Sequence, residues 1–202
     1  MSGSLMNKGL SLTEKLIGQS RYRINVHGCT EFLDVLRYSA VESLSQPWRY
    51  DVAVTCSSAD IACDTLLLKP ASFTFMTPVF DGTPALPVRT VFGVVESFRR
   101  VSTSNDDTHY ALTIVPRIAL LEYAKGSEIY LNQSVTEVVE QVLRKHGLEG
   151  PDFEFRLSRE YPSRELITQW RETDLEFIQR LLAEVGIYWR YEMDSRLEQD
   201  VV

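Results

Sequence analysis

The stretch from Gln169 to Tyr188 reads QWRETDLEFIQRLLAEVGIY and decides the second half of the fold. Thr173 and Glu176 have the spacing of a capping box, in which the hydroxyl and the carboxylate each accept a backbone N–H at the start of a helix. Apolar residues follow at helical spacing and end at Gly186, a residue type that readily adopts the left-handed conformation of helix ends. These features predict a helix near 174–185, with a strand on either side.

A second capping box lies upstream, at Ser134 and Glu137. Apolar side chains then recur at helical spacing, at Val135, Val138, Val139, Val142 and Leu143. Cations occupy the last turn, where they interact favourably with the helix dipole, and Gly147 can end the helix. The pattern predicts a helix near 135–146.

The first half of the chain has the period of two that a strand with one buried face requires. The period runs from Trp48 to Cys56 and recurs at Tyr22–Val26, Phe73–Phe75 and Tyr110–Ile114. The run Val88–Val101 is rich in Val and Phe, and Gly93 within it predicts a bulge or a bend. The polar residues 102–108 read as a hairpin loop. Long strands without intervening helices predict a curled antiparallel sheet or a β-barrel.

The fold class that these patterns predict is β-rich α+β. We expect a flexible segment over 1–18, a β-barrel-like domain over 19–118, a smaller α+β lobe over 119–193 and a tail over 194–202. The lobe is expected to run helix–strand–strand–helix–strand, since alternation also occurs at Phe153–Leu157 and Ile187–Tyr191. The boundary is placed near 117–130, because Pro116 interrupts the strand pattern there and the charge balance shifts.

Composition and charge narrow the classes of function. The 202 residues carry a formal net charge of −7. Residues 1–101 hold ten Lys/Arg and nine Asp/Glu, whereas residues 102–202 hold eleven and nineteen, so the second half repels polyanions. The chain shows no run of eighteen apolar residues and no apolar stretch of the secretory type near its N-terminus. We therefore expect neither a nucleic-acid partner nor a stable membrane association.

The histidines and cysteines do not form a recognisable metal motif. His27, His109 and His146 each lack a second ligand at metal-binding spacing. A site built from His109 with Asp106 and Asp107 is one alternative, and a solvated loop is the simpler interpretation. The three cysteines, Cys29, Cys56 and Cys63, are too few for a disulfide framework. We interpret Cys56 and Cys63 as small buried apolar side chains.

The carboxylates offer one enzymatic alternative. A pair for sugar cleavage could be drawn from Glu172, Asp174 and Glu176, as in a peptidoglycan hydrolase. Two of them have a simpler role at a helix N-terminus, where Asp174 offsets the dipole and Glu176 completes the capping box. The nucleophile, phosphate-binding and zinc-protease motifs are missing from the sequence. The prediction is a protein that is not an enzyme, with no catalytic, cofactor-binding or metal-binding residue.

The string at 169–188 closely resembles a motif of VgrG proteins, the spike components of bacterial type VI secretion systems. Further stretches resemble segments of that family in the same order, namely 48–52, 92–98, 110–121, 134–147 and 161–165. The positions that match family motifs are expected to be structural: Trp48, Gly93, Pro116, Gln169, Glu172, Thr173, Asp174, Phe177, Arg180, Leu181, Glu184, Gly186 and Tyr188. The matches cover about residues 20–192, and family members continue well beyond the length of this chain.

The resemblance implies the N-terminal, phage-tail-hub-like module of a puncturing spike. Such a module forms a homotrimer in the full-length protein, caps the hexameric Hcp tube, contacts baseplate proteins and effectors, and needs no cofactor. It is assembled in the bacterial cytoplasm and driven out by sheath contraction without a signal peptide. A prophage contractile-tail hub is the alternative within the same fold.

Overall fold

The computed structural model describes residues 21–78 and 84–202, so the flexible segment expected over 1–18 lies outside the described residues. The first part of the chain contains six strands and a short helix. They are β1 (Tyr22–Val26), β2 (Asp34–Val41), β3 (Arg49–Cys56), α1 (Cys63–Leu66), β4 (Pro70–Met76), β5 (Pro87–Thr103) and β6 (Thr108–Val115). The loop between β5 and β6 is shorter than the sequence predicts, because both strands extend into the polar residues.

These described strands form one antiparallel sheet in the order β1-β4-β5-β6-β3-β2. The sheet curls until its two edge strands approach each other, and the rings of Tyr22 on β1 and Tyr38 on β2 have centroids 4.8 Å apart. The curl encloses the first core, to which Tyr50, Phe73 and Leu112 contribute fully buried side chains. The predicted curled antiparallel sheet is confirmed.

Gly93 does not mark a bulge, which is one of the two features that the sequence predicts for it. It pairs regularly with Ala71 on β4, and β5 is instead irregular between Val95 and Ser97. Glycine is needed for a different reason, because a Cβ here would lie 2.5 Å from Cη2 of Trp48 and 2.4 Å from the carbonyl oxygen of Val115. The missing side chain lets the indole ring pack directly on the backbone of β5.

The second part of the chain begins with a 3-10 helix, Arg117–Tyr123, directly after Pro116. The remaining elements are β7 (Lys125–Gln133), α2 (Val135–Lys145), β8 (Arg164–Thr173), α3 (Asp174–Glu184), β9 (Glu192–Asp194) and β10 (Gln199–Val201). Strands β7 and β8 form an antiparallel ribbon, and β9 and β10 form a hairpin. The apolar faces of α2 and α3 pack with the 3-10 helix and the ribbon into a second core.

The predicted lobe and tail differ from the structure in four places. Phe153–Leu157 and Ile187–Tyr191 are extended but are not strands, because their apolar side chains turn into the cores without a neighbouring strand along their length. In the described structure the N–H of Glu154 donates to the carbonyl of Val202 (2.9 Å), and the N–H of Val202 donates to the carbonyl of Asp152, just before the first segment (3.0 Å). Strand β7 was missed by the sequence patterns, and the expected tail over 194–202 contains half of the β9–β10 hairpin.

Both predicted capping boxes are confirmed. The N–H of Ser134 donates to Glu137 Oε2 (2.7 Å), and the N–H of Glu137 donates to Ser134 Oγ (3.3 Å). At α3 the corresponding distances between Thr173 and Glu176 are 2.8 and 3.1 Å. These contacts satisfy N–H groups that lack a partner within the first turn.

Both helices end as their glycines predict. Gly147 and Gly186 have φ angles of +72° and +73°. The residue after each glycine donates its N–H to a carbonyl of the last turn, at Leu143 (3.1 Å) and Leu182 (2.9 Å). This is the Schellman arrangement, in which a left-handed residue turns the chain back over the helix end.

Candidate assembly region

Two of the motif residues, Gln169 and Asp174, meet where the C-terminus of α2 approaches the N-terminus of α3. Asp174 is only 1% exposed there, and its carboxylate accepts a hydrogen bond from Gln169 Nε2 (2.7 Å). His146 Nε2 lies 2.6 Å from the other carboxylate oxygen, and Lys145 Nζ lies 3.5 Å from it. We call these four residues the buried polar node.

The node keeps Asp174 ionised. Burial by itself raises the pKa of this carboxyl, but the hydrogen bonds from His146 and Gln169 and the charge of Lys145 outweigh burial, so the pKa lies below its usual value. A carboxylate held in this way ties β8 and both helices together. It has no exposed surface on which a substrate could bind.

A second group of motif residues forms a network on the outside of α3. Arg180 pairs with Glu172 (2.6 Å) and Glu184 (2.9 Å) and donates to the carbonyl of Thr168 (3.0 Å). Arg164 on β8 pairs with the same Glu184 (2.7 Å). These ion pairs raise the pKa of Arg180, with the hydrogen bond to Glu172 as the largest cause. The network connects α3 to strand β8 of the β7–β8 ribbon by ion pairs and a hydrogen bond.

The apolar motif residues belong to the second core. Phe177 and Leu181 are fully buried, and the ring of Phe177 stacks on Tyr130 with centroids 5.7 Å apart. Trp48 is buried against Gly93 and Tyr191, far along the chain from the other motifs. Tyr188, in contrast, is 68% exposed.

The turn between β2 and β3 joins the sheet to the helical part. The N–H of Ser45 donates to the carbonyl of Trp189 (2.9 Å), and the N–H of Trp189 donates to Ser45 Oγ (3.3 Å). Gln179 on α3 donates to the side chain of Gln46 (3.1 Å). The two cores are therefore connected by hydrogen bonds as well as by the chain itself.

The acids considered for sugar cleavage are already engaged. Glu172 is paired with Arg180, Asp174 belongs to the buried polar node, and Glu176 caps α3. The structure does not bring two of them to a common cleft. Over residues 21–78 and 84–202, no three His, Cys, Asp or Glu side chains come together as metal ligands.

A hollow of about 420 Å³ lies between α2, α3 and the extended segment 153–157. Its walls are mostly apolar. Its carboxylates, Glu154 and Glu192, are both paired with Arg156, at 2.7 and 3.1 Å. The hollow therefore has the lining of an incompletely covered core and lacks the paired, free carboxylates that glycoside hydrolysis requires.

One face of the β7–β8 ribbon is apolar and exposed. Ile129, Leu131, Leu166 and Trp170 share this face and are 55–68% exposed. We call it the ribbon face. The sequence analysis missed it because β7 has apolar residues on both sides, with Tyr130 buried between two exposed neighbours. A patch of this kind on a protein surface commonly marks an interaction site.

Comparison with known proteins decides which family this architecture represents. Residues 41–201 match the family of phage tail baseplate hub (GPD) proteins. The chain belongs to this family. The match covers the curled sheet from the last residue of β2 onward and the helical part, and it ends at the last residue of β10.

A type VI secretion relative supports the narrower resemblance. The spike protein VgrG4b of Pseudomonas aeruginosa is 31% identical over 173 residues, which are 86% of this chain and 20% of the relative. The chain thus spans about a fifth of that protein's length. The resemblance to VgrG spike proteins is confirmed.

Two solved structures place the fold. The Escherichia coli c3393 protein matches with a TM-score of 0.79 and 37% identity, over 89% of this chain and 47% of its own. It is described as a component of the type VI secretion system with structural similarity to the bacteriophage T4 tail proteins gp27 and gp5. The 43 kDa tail protein of prophage MuSo2 from Shewanella oneidensis matches with a TM-score of 0.60 at 14% identity, over 90% of this chain and 52% of its own. The second likeness concerns the fold alone. Both confirm a tail-hub-like architecture.

Proposed function

We propose that this chain is the N-terminal hub module of a type VI secretion spike and acts by assembly, without catalysis. The observation that carries the proposal is the 37% identity and TM-score of 0.79 to the c3393 protein over 89% of the chain. In this role the chain forms a homotrimer, caps an Hcp-like hexameric tube, contacts baseplate proteins and travels with effectors when the sheath contracts.

The contacts around α3 support a mechanical role. The buried polar node, the Arg180 network and the Ser45–Trp189 hydrogen bonds connect β8, both helices and the β2–β3 turn. Hydrogen-bonded ionic groups that are held on several elements resist displacement, since moving one element leaves a partially buried charge without its partner. A module that transmits force needs this kind of rigidity. We assign the motif positions to this scaffold and not to a reaction.

The ribbon face is the surface that we assign to contact with a neighbouring copy in the trimer. Its four side chains expose roughly 400–500 Å² of apolar area, which matches the largest patch on a typical monomer. A standard interface buries about 800 Å² per partner, so the face and its polar surroundings are large enough to form the centre of one.

The remaining assignments follow from charge and from the family. The negative second half disfavours nucleic acid as a partner. In the described part of the chain, no helix is long and apolar enough to cross a membrane. We propose assembly in the bacterial cytoplasm, followed by export through the contractile machine itself.

The first experiment measures mass in solution by light scattering. We expect three times the 23.1 kDa chain mass, and we expect replacement of Leu131 and Trp170 by serine to shift the protein toward monomer. Leu197→Ser, which removes an exposed leucine outside the ribbon face, is the matched control. A monomeric parent chain, or loss of the trimer in the control alone, would contradict the assignment.

A second experiment separates the secretion spike from the prophage hub, which share the fold. The purified chain is offered the hexameric tube protein of a type VI system and the tail tube protein of a prophage from the same cell. Retention of the first alone supports the proposal, and retention of the second alone supports the prophage alternative. Turnover of peptidoglycan that is lost in Glu172→Gln would revive the hydrolase alternative.

A further inference from the structure

A shallow depression on the convex side of the curled sheet has no role in the assembly described so far. It has a volume of about 550 Å³ and lies across four neighbouring strands, β2, β3, β6 and β5. Its lining includes Arg37, Arg49 and Arg99 but only one carboxylate, that of Asp51. A protein with a net charge of −7 therefore carries a local excess of positive charge here.

The register of the sheet explains the shape of the depression. Arg37 on β2 lies opposite Ala53, Ala53 lies opposite Ala111, and Ala111 lies opposite Arg99 on β5. One straight row across the sheet thus reads arginine, alanine, alanine, arginine. The alanines form a low floor between two long side chains whose Cα atoms are about 14 Å apart, which is three strand spacings.

The two outer arginines are not used within the fold. Among residues 21–78 and 84–202, neither Arg37 nor Arg99 has a side-chain hydrogen bond or an ion pair. The carboxylate of Asp51 is already bound by Arg49 (3.0 Å) and by the hydroxyl of Thr113 (2.8 Å). Arg49 also pairs with Glu96 (2.8 Å). The neighbouring acids are therefore unavailable to the outer arginines.

The next row of the sheet contains Asp34, Thr55 and His109. Asp34 is exposed and does not pair with either outer arginine in the described structure. It limits the positive potential at one end of the depression, so the centre of the row, above the two alanines, is the favoured place for a negative group.

We propose that this depression is a docking site for an acidic side chain, Glu or Asp, of a partner protein. The carboxylate enters above Ala53 and Ala111 and is bound from both sides by Arg37 and Arg99. Guanidinium groups suit this role because their planar donors match a carboxylate bidentately. The proposal does not depend on the trimer or on the tube, because it concerns a different face of the molecule and rests on its own contacts.

The test uses the whole chain and a peptide of six glutamates, with a peptide of six glutamines as its uncharged match. Binding is measured by calorimetry, and its location is read from amide chemical shifts. We expect the glutamate peptide to bind and to perturb the amides of the depression, and Arg37→Gln and Arg99→Gln each to weaken binding at least fivefold. Arg23→Gln is the matched control, because it removes the same charge from β1 of the same sheet, outside the depression.

A steric variant separates insertion from general attraction. Ala111→Leu fills the floor without changing the charge, and we expect it to weaken binding as strongly as loss of an arginine. Thermal unfolding confirms that each variant remains folded. Failure of the glutamate peptide to bind, equal weakening by Arg23→Gln, or unchanged binding in Ala111→Leu would each overturn the proposal. Inorganic phosphate that binds as tightly as the peptide would identify a simple anion site and would also overturn it.

Discussion

Replacing Asp200 by asparagine should stabilise the protein at neutral pH. Asp200 lies on β10 and is only 5% exposed. Burial is the main cause that raises the pKa of this carboxyl to about 6. Hydrogen bonds from the backbone N–H groups of Asp200 and Arg117, together with the charge of Arg117, only partly oppose it. The negative charge of Asp152 acts in the same direction as burial, so the surroundings favour the neutral form of Asp200.

The magnitude follows from linkage between protonation and folding. An unfolded aspartate has a pKa near 3.9, and each unit of difference corresponds to about 1.4 kcal/mol. A folded pKa of about 6 therefore means that the ionised carboxylate destabilises the fold by up to ~3 kcal/mol above pH 6. The penalty falls as the pH decreases through 6 and vanishes below the unfolded pKa. We expect Asp200→Asn to gain about 1–3 kcal/mol at pH 7.5 and much less at pH 4.5.

The assay is urea unfolding of the parent and the variant at both pH values. The difference between the two proteins cancels the titration of other groups, including the buried polar node. Asp194→Asn on the same hairpin is the matched control, because Arg196 lowers the pKa of Asp194 and its removal should give no such gain. A stabilisation that is equal at both pH values, or a variant that is less stable at pH 7.5, would refute the reasoning.

Three further predictions concern packing and helix ends. Gly93→Ala should lower the free energy of unfolding in a denaturation assay by about 1–3 kcal/mol, since its Cβ would meet the Trp48 ring at 2.5 Å. Gly150→Ala is the control and should be close to neutral in the same assay, because its Cβ enters open space. Leu181→Ala should cost about 2–5 kcal/mol because it empties a fully buried position of the second core, and a cost below 1 kcal/mol would speak against the docking of α3. Gly186→Val should unfold at a lower temperature than Gly186→Asn, since asparagine tolerates the φ of +73° and a β-branched residue does not. Equal melting temperatures of the two variants would contradict the left-handed conformation assigned to this helix end.

The helices were predictable because their signals are local. Ser134 and Glu137, or Thr173 and Glu176, are three residues apart and satisfy each other's backbone regardless of the rest of the chain. The glycines that end the helices act over a similar distance. The strands of the curled sheet were predictable from alternation, because one of their faces is buried against a single core.

The candidate surfaces were not predictable, because each depends on contacts between distant residues. Phe153–Leu157 alternates like a strand but lacks a neighbour, whereas β7 has apolar residues on both faces and pairs with β8 thirty residues or more along the chain. The row from Arg37 to Arg99 exists only through strand register.

The sequence by itself determined the family, the helix ends and the alternation of the sheet, since these are properties of neighbouring residues. The tertiary structure decided which carboxylates are buried, as at Asp174 and Asp200, and which arginines remain unpaired. The physical reason is that burial and electrostatic pairing are set by distances in space, which short-range sequence patterns do not specify.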